Sequence, residues 1–445
     1  MDTSNESLRA HAFRLRTPVA VAALAATLLQ GCAADTMSAS EEPSLPAESD
    51  AAGAASVAGS QVPNSASASG VLPNSKPAPQ AAPAAGTQVQ SCGGNAPPLI
   101  LPTSQRMTSA GSPSCGSGLA ADLFSHGLCS CRDVVFTGAF SIDSFSSQPT
   151  AAGATGASVG INGHLSTTGV IDIGGSLIAA GQGPLRITSG GFNIDGNFET
   201  NSDVSLTGAN IRFGRDLWVN GDLNVIGLSR VRGDVYQTPG HAMNGTQLDG
   251  KLNQRAFTVP EPCGCAANQL LDIEEIVHQG IAASGAPPAS SFNVGTGGTM
   301  ALGCGSFAYR NLNILGLATI EVDGHSVLYI DGDLTLTGGV TIDLDSQGEL
   351  DIFVTGNLVL TGAGKIGKRT RPAALRIYVG GAGDIAIAGS NQFAANLYAP
   401  RSNVFVTGAD DIYGSFFVGS YQATGAQSMH YDDSIQQVGQ PRDCT

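Results

Sequence analysis

Cysteines and carboxylates are the residues of this 445-residue chain best suited to chemistry. Eight cysteines form an even set: Cys92, Cys115, Cys129, Cys131, Cys263, Cys265, Cys304 and Cys444. In an exported chain such a set reads as candidate disulfide cysteines, with the pairing left open. Cys129-Ser-Cys131 and Cys263-Gly-Cys265 are spaced too closely to favour bridges within each pair, so each is expected to find partners elsewhere. A four-thiolate zinc site built from the two pairs is the competing reading. The usual two-residue spacer is missing, and export favours oxidation. Glu275 and His278 match part of a carboxylate-bridged metal motif, but such sites need a second copy and the chain has none. A solvated helix face is the expectation there. Asp222, Asp234, Asp331, Asp333, Asp343 and Asp345 line turns. Stacked carboxylates could hold calcium, yet turn chemistry accounts for these residues without it. Lys365, Lys368, Arg369 and Arg371 form one basic cluster, which could meet an acidic glycan and reads first as a solvated loop. No carboxylate pair stands at a spacing suited to glycoside cleavage, and His-Glu-x-x-His is missing. No catalytic residue, metal ligand or cofactor is assigned.

The ninth cysteine, Cys32, has a different setting. Arg9, Arg14 and Arg16 precede an apolar run from Val19 to Leu29, interrupted only by Thr27. That run suits the hydrophobic part of a signal peptide and is too short to span a bilayer as a helix. It ends in Leu29-Gln30-Gly31-Cys32. This pattern resembles the bacterial lipobox. The resemblance implies a lipoprotein signal peptide over residues 1–31 and a diacylglycerol thioether on Cys32. It also implies further acylation, with palmitate for example, on the new amino group. Buried acyl chains contribute about 0.8 kcal/mol per CH₂, so the expected partner of Cys32 is a lipid membrane. Ala33 and Ala34, with no Asp after the cysteine, point to the outer membrane of a Gram-negative envelope, on its periplasmic face or at the cell surface.

The elements that would position these residues follow from composition. Residues 32–91 are rich in Ala, Ser, Pro and Gly, contain no aromatic residue and read as an unstructured tether. The remainder has few charges and abundant Gly, Val, Ile, Leu and Thr, which favours an all-β protein. A net charge of −15 without basic runs argues against nucleic acid as a partner.

A phrase recurs through that remainder: apolar, any residue, Gly, polar, apolar. Ile161–Leu165, Ile173–Leu177, Ile194–Phe198, Val219–Leu223, Val231–Val235, Ile330–Leu334 and Val354–Leu358 are copies. The flanking residues alternate as strands do. Gly332, Gly356 and Gly380 lie 24 residues apart, and Gly175, Gly196 and Gly221 lie 21 and 25 apart. Periods of this length predict a β-solenoid, parallel β-helix-like, with one coil per repeat. Residues 268–282 break the pattern as an amphipathic helix. The expected organisation is a Cys-rich segment over 92–131 and a first solenoid block over 132–237. An insertion carrying the helix follows over 238–300, then a second block over 301–435 and a tail over 436–445.

The C-terminal part carries a further resemblance. Tyr398-Ala399-Pro400, Asn403 to Gly408, Tyr413-Gly414 and His430-Tyr431-Asp432 occur in the order seen in an uncharacterised β-solenoid domain. That domain is found in exported bacterial proteins, some associated with PilX-like pilus assembly. The Pro-Cys-Gly-Cys stretch and the following helix resemble uncharacterised lipoproteins of myxobacteria and their relatives. Neither family implies an active site. Tyr398, Tyr413, Phe416 and Phe417 are expected to close the open end of the last coils. The functional expectation is a membrane-anchored envelope lipoprotein with a structural, adhesive or protein-interaction role and no enzymatic activity, its partners being envelope proteins or surface glycans. The alternative is a carbohydrate-active enzyme, a lyase or hydrolase, on the same scaffold.

Overall fold

Each coil is written in the same local grammar. Residues 159–179 illustrate it: strand Val159–Ile161, a turn, then strand Leu165–Ile173, then a turn into Leu177–Ala179. The middle strand bends at Gly169, where φ is +132°. A side chain there would strain the backbone and overlap the carbonyl of Gly138 in the neighbouring coil. The bend divides the strand, so each coil contributes to three faces. Alternate residues point inward, and Leu165, Thr167, Ile171 and Ile173 are buried. The computed structural model describes residues 80–81, 119–148, 157–284, 288, 290–388 and 392–438, and these include a β-solenoid of about 13 turns.

Coils stack in parallel register. On the first face Leu177, Phe198, Leu217, Val235 and Leu252 succeed one another. Their spacing of 17 to 21 residues is the coil length in this half. All but Leu252 are buried, and each such side chain is worth about 1.5–3 kcal/mol relative to exposure.

The recurrent Gly-polar phrase is the rung of a hydrogen-bonded ladder. Asn311 Oδ1 accepts from the backbone N–H of Asp333 in the next coil at 2.9 Å. Asp333 Oδ1 accepts from Asn357 N at 2.7 Å, and Asn357 Oδ1 from Gly383 N at 2.9 Å. Asn197, Asp216, Asp234 and the backbone of Lys251 repeat the device in the other half. The glycine before each rung leaves room for the oxygen arriving from the previous coil. A Cβ on Gly356 would overlap Asp333 Oδ1 and lie 2.7 Å from the Gly332 carbonyl oxygen. Of the aspartates singled out in the sequence, Asp222, Asp234, Asp333 and Asp345 thus serve as backbone acceptors, whereas Asp343 lies on the strand Thr341–Leu344. The repeat spacing mixes two turns, however. Gly175 and Gly196 stack, whereas Gly221 belongs to the other turn of the coil, and Gly356 is followed in its column by Gly381 and not Gly380.

The order of coils in space differs from their order in the chain. The chain enters at Leu128–Ser130 and Val134–Phe145 and builds outward to Leu252–Gln254. It resumes at Phe292–Val294 and builds through Asn396–Tyr413 to Phe416–Asp432. That last coil pairs in parallel with the first, Leu128 with Phe416 and then Val134 to Phe145 with Tyr421 to Asp432. The two halves therefore join at a seam in the middle of the stack. Tyr398, Phe416 and Phe417 lie near this seam, so they do not close an open end. At the far end of the second half, Gln80–Ala81 pairs with Met300–Ala301.

Residues 255–284 form a strap that returns along the outside of the first face. Phe257 packs on Trp218, and Val259 exchanges two hydrogen bonds with the Asn201 side chain. Cys263 does the same with Asn162. Two disulfides follow, Cys129–Cys263 and Cys131–Cys265. Leu271 N donates to Tyr398 Oη, and helix α2 (Ile273–Ser284) then covers outward aromatics. Those aromatics form a stack, Tyr329, Phe353, Tyr378, Tyr398 and Phe417, with ring centroids 4.5–6.3 Å apart. Gly280 is what lets the helix lie on Tyr329. The short helix α1 (Leu119–Leu123), by contrast, packs near the 3₁₀ turn Asp433–Gln437 beside the seam.

Two outcomes follow. Asp333→Asn keeps the acceptor and should melt close to the parent. Asp333→Ala should lose about 1–2 kcal/mol and Gly356→Ala about 1–3 kcal/mol, both read by thermal unfolding. The two disulfides close nearly the same loop, each with a sequence separation of 134. Urea unfolding should show a small loss for Cys131→Ser with Cys265→Ser, and a loss of about 5 kcal/mol when all four are replaced.

Candidate functional site

Three charged side chains and a histidine meet on the outward side of the first face. Arg376, 2% exposed, donates from Nε to Asp351 Oδ1 at 2.6 Å and from Nη2 to Oδ2 at 2.9 Å. Nη2 also reaches Glu349 at 3.0 Å, and His325 Nε2 lies 3.2 Å from Asp351. Burial alone would raise the Asp351 carboxyl, but the guanidinium holds it well below the usual carboxylate range. The bidentate geometry and the bond from Arg376 to Ala373 O use most of the donors. This is a fixed ion pair joining two coils.

The other sequence candidates are distributed. Lys368 faces Asp343 at 3.8 Å and Arg369 faces Asp411 at 3.8 Å. Arg371 donates to the carbonyls of Asp345, Ser346 and Gly348, so it closes a turn. Glu275 accepts from Gln279 one helical turn on, and His278 lies 3.7 Å from Asp331. Asp203, Asp222 and His241 bring potential ligand atoms within 4.8 Å of one another. In that group Asp203 accepts from Asp222 N, and Asp222 from Ala242 N, as ladder rungs do. Cys304 is disulfide-bonded. Cys32, Cys92, Cys115 and Cys444 lie outside the described residues, as does the lipobox.

The seam encloses a polar group in its core. Asp410 is 2% exposed and faces inward in register with Gln427, whose amide oxygen accepts from Tyr421 Oη at 3.2 Å. Neither Asp410 oxygen has a hydrogen-bond partner among the described residues. Burial, with Asp411 adding to it, pushes this carboxyl up to about 6.

The feature that sequence reasoning missed is on the second face. Thr407, Thr424, Thr137, Thr168, Thr188 and Thr207 are exposed and occupy successive coils in direct register. The column crosses the seam without a break. Thr337 and Thr361 repeat it in the second half. Parallel strands lie about 4.7–4.9 Å apart, so six threonines span roughly 24 Å. The neighbouring outward column reads Phe405, Gln422, Val135, Ser166, Arg186, Ser205 and Asn224. Arg186 is the one charged member of these two stretches. The third face contrasts with this, with Glu321, Asp343, Lys365, Asp172, Arg212 and Arg230 at outward positions. The legible signal was the dipeptide Thr-Gly. Of the eight threonines only Thr188 lacks a following glycine. At Thr137 and Thr168 that glycine makes the bend between the second and third faces.

Comparison with known proteins covers this region in part. Residues 267–438 match a domain of unknown function, DUF7305. The match spans part of the strap and all of the second half up to the seam. Among curated proteins none matches the chain. A solved structure described as an ice binding protein from an Antarctic bacterium, Flavobacteriaceae, aligns over 72% of this chain and 99% of its own at 12% identity. Its TM-score is 0.16, and at that value the likeness carries no argument.

The seam carboxyl gives a pH signature. In the folded protein Asp410 binds its proton more tightly than in the unfolded chain, whose value is near 4. Its contribution is therefore fully present below pH 4 and is lost as pH rises through about 6. Asp410→Asn should remove this component, so that its melting temperature at pH 8 rises above the parent's and the gap closes towards pH 4.

Proposed function

We propose that the chain is an exported lipoprotein whose solenoid is a non-enzymatic attachment element, held to a membrane by lipid on Cys32 and presenting its second face outward. The anchor rests on the basic residues, the apolar run and Leu29-Gln30-Gly31-Cys32. The attachment role rests on one observation, the in-register threonine column on a nearly charge-free face of a chain carrying −15. Such a face would have little attraction for ions, yet it offers a row of hydroxyls on a rigid backing. The strap keeps the first face from serving this role, since aromatics there are already covered. A lipid-anchored solenoid of this kind suits the outer membrane of a Gram-negative envelope, with surface polymers or envelope proteins as the bodies it could hold.

The anchor is tested in a bacterial host that processes lipoproteins. The parent should take up radiolabelled palmitate and sediment with membranes, and Cys32→Ser should do neither. Equal labelling of both would overturn the anchor. The attachment role is tested by adhesion of cells displaying the protein, which Thr137→Lys combined with Thr424→Lys should reduce while leaving the melting temperature within a few degrees.

A further inference from the structure

We infer that the body recognised by the threonine face is ice. The inference rests on the attachment reading above and names the ligand class of that same face. Threonine is β-branched, and its χ1 is restricted on a strand, so hydroxyl and methyl point in set directions. The backing strands are held by a continuous core, by the seam and by the disulfide-linked strap. Water placed on one hydroxyl is therefore repeated on the next at the strand spacing of about 4.7–4.9 Å. A surface that already holds its groups in a lattice loses little conformational freedom on meeting another lattice. Ice is such a lattice: uncharged, rigid, and made of groups that both donate and accept, as a threonine hydroxyl does.

The pattern of charge separates this from an ordinary exposed strand. β propensity alone would place threonine at many outward positions. The third face, made by the same coils, carries Asp172, Arg212 and Arg230 within four consecutive coils, with Asn193 between Asp172 and Arg212. Propensity acts on both faces equally, so it does not explain why one is neutral. The exposed aliphatics add to the case. Ile226 follows Thr207 in register and is 59% exposed, and Leu228 beside it is 77% exposed. They extend a surface that combines methyl groups with hydroxyls. A protein partner would more often be met by clustered aromatic and arginine anchors, and here Phe405 and Arg186 stand four coils apart.

The test uses the full chain carrying Cys32→Ser, fluorescently labelled, with a co-dissolved inert protein of similar size. A slowly growing ice body is allowed to form, and the protein inside it is measured against that left in the liquid. The chain should be enriched in ice over the inert protein and should facet single crystals. Thr137→Lys with Thr424→Lys should lower that enrichment roughly tenfold or more, equivalent to about 1.4 kcal/mol. Circular dichroism should stay unchanged, and Asn193→Lys on the third face should retain the enrichment. Exclusion of the parent from ice to the same extent as the inert protein would overturn the inference. So would undiminished enrichment of the threonine variant. Exclusion from ice together with threonine-dependent adsorption to crystalline polysaccharide would overturn ice and leave the attachment reading standing. Failure to adsorb to either would count against both.

Discussion

The pairing of Val134–Phe145 with Tyr421–Asp432 is the contact on which the rest of the solenoid depends. It joins strands about 287 residues apart in the chain, as in the hydrogen bond from Ser141 to Ser428. A parallel stack has no tolerance for a slip there. A shift of one residue would turn Phe136, Phe140 and Ile142 outward and Thr137 inward. Side chains fix the register from both sides. Arg132 donates to Gly419 O and to Asn403 Oδ1, Ser415 to His126 O, and Tyr431 to Phe124 O. His430 lies 2.7 Å from Asp143 across the same joint, and this hydrogen bond raises the imidazole pKa. Closing so long a loop is entropically costly, and contacts of this range form late and slowly.

The strap offsets part of that cost by crosslinking. Cys129 and Cys131 belong to the coil at the seam, and their partners lie in the strap. Once they are joined, the chain between Cys131 and Cys263 is a closed loop, and α2 is brought close to the aromatic stack it covers. The ladder works more locally. Each Asn or Asp satisfies a turn N–H that would otherwise face away from any acceptor, at a position where glycine leaves no other side chain to interfere.

Much of the fold was legible in the residues. The Gly-polar phrase and its spacing gave the solenoid, because each copy combines two buried positions with a rung. The amphipathic stretch near Ile273–Ser284 was legible from its apolar face. The seam was not, because strand pairing between the first and last coils leaves no local trace: Phe416–Asp432 reads like any other strand pair. The buried ion pair of Asp351 and Arg376 was hidden for a similar reason, since the residues are 25 apart and meet only through coil register. The threonine face was obscured by its simplicity. Thr-Gly is short, and the corner glycine competes for notice with the glycines of the ladder.

The meeting of first and last coils has a topological meaning. In space the stack runs from residue 292 to 432 and on from 128 to 254, always in one direction. A chain cut within the strap and joined across the seam would thread the same coils without interruption. The protein is in this sense a circular permutation of a plain solenoid, with the strap as the linker between what would be its two ends. The coils at the two extremities of the stack, one ending at Gln254 and the other beginning at Phe292, lie on either side of the strap in the chain, so chain that frays there stays tied to the solenoid through the two disulfides.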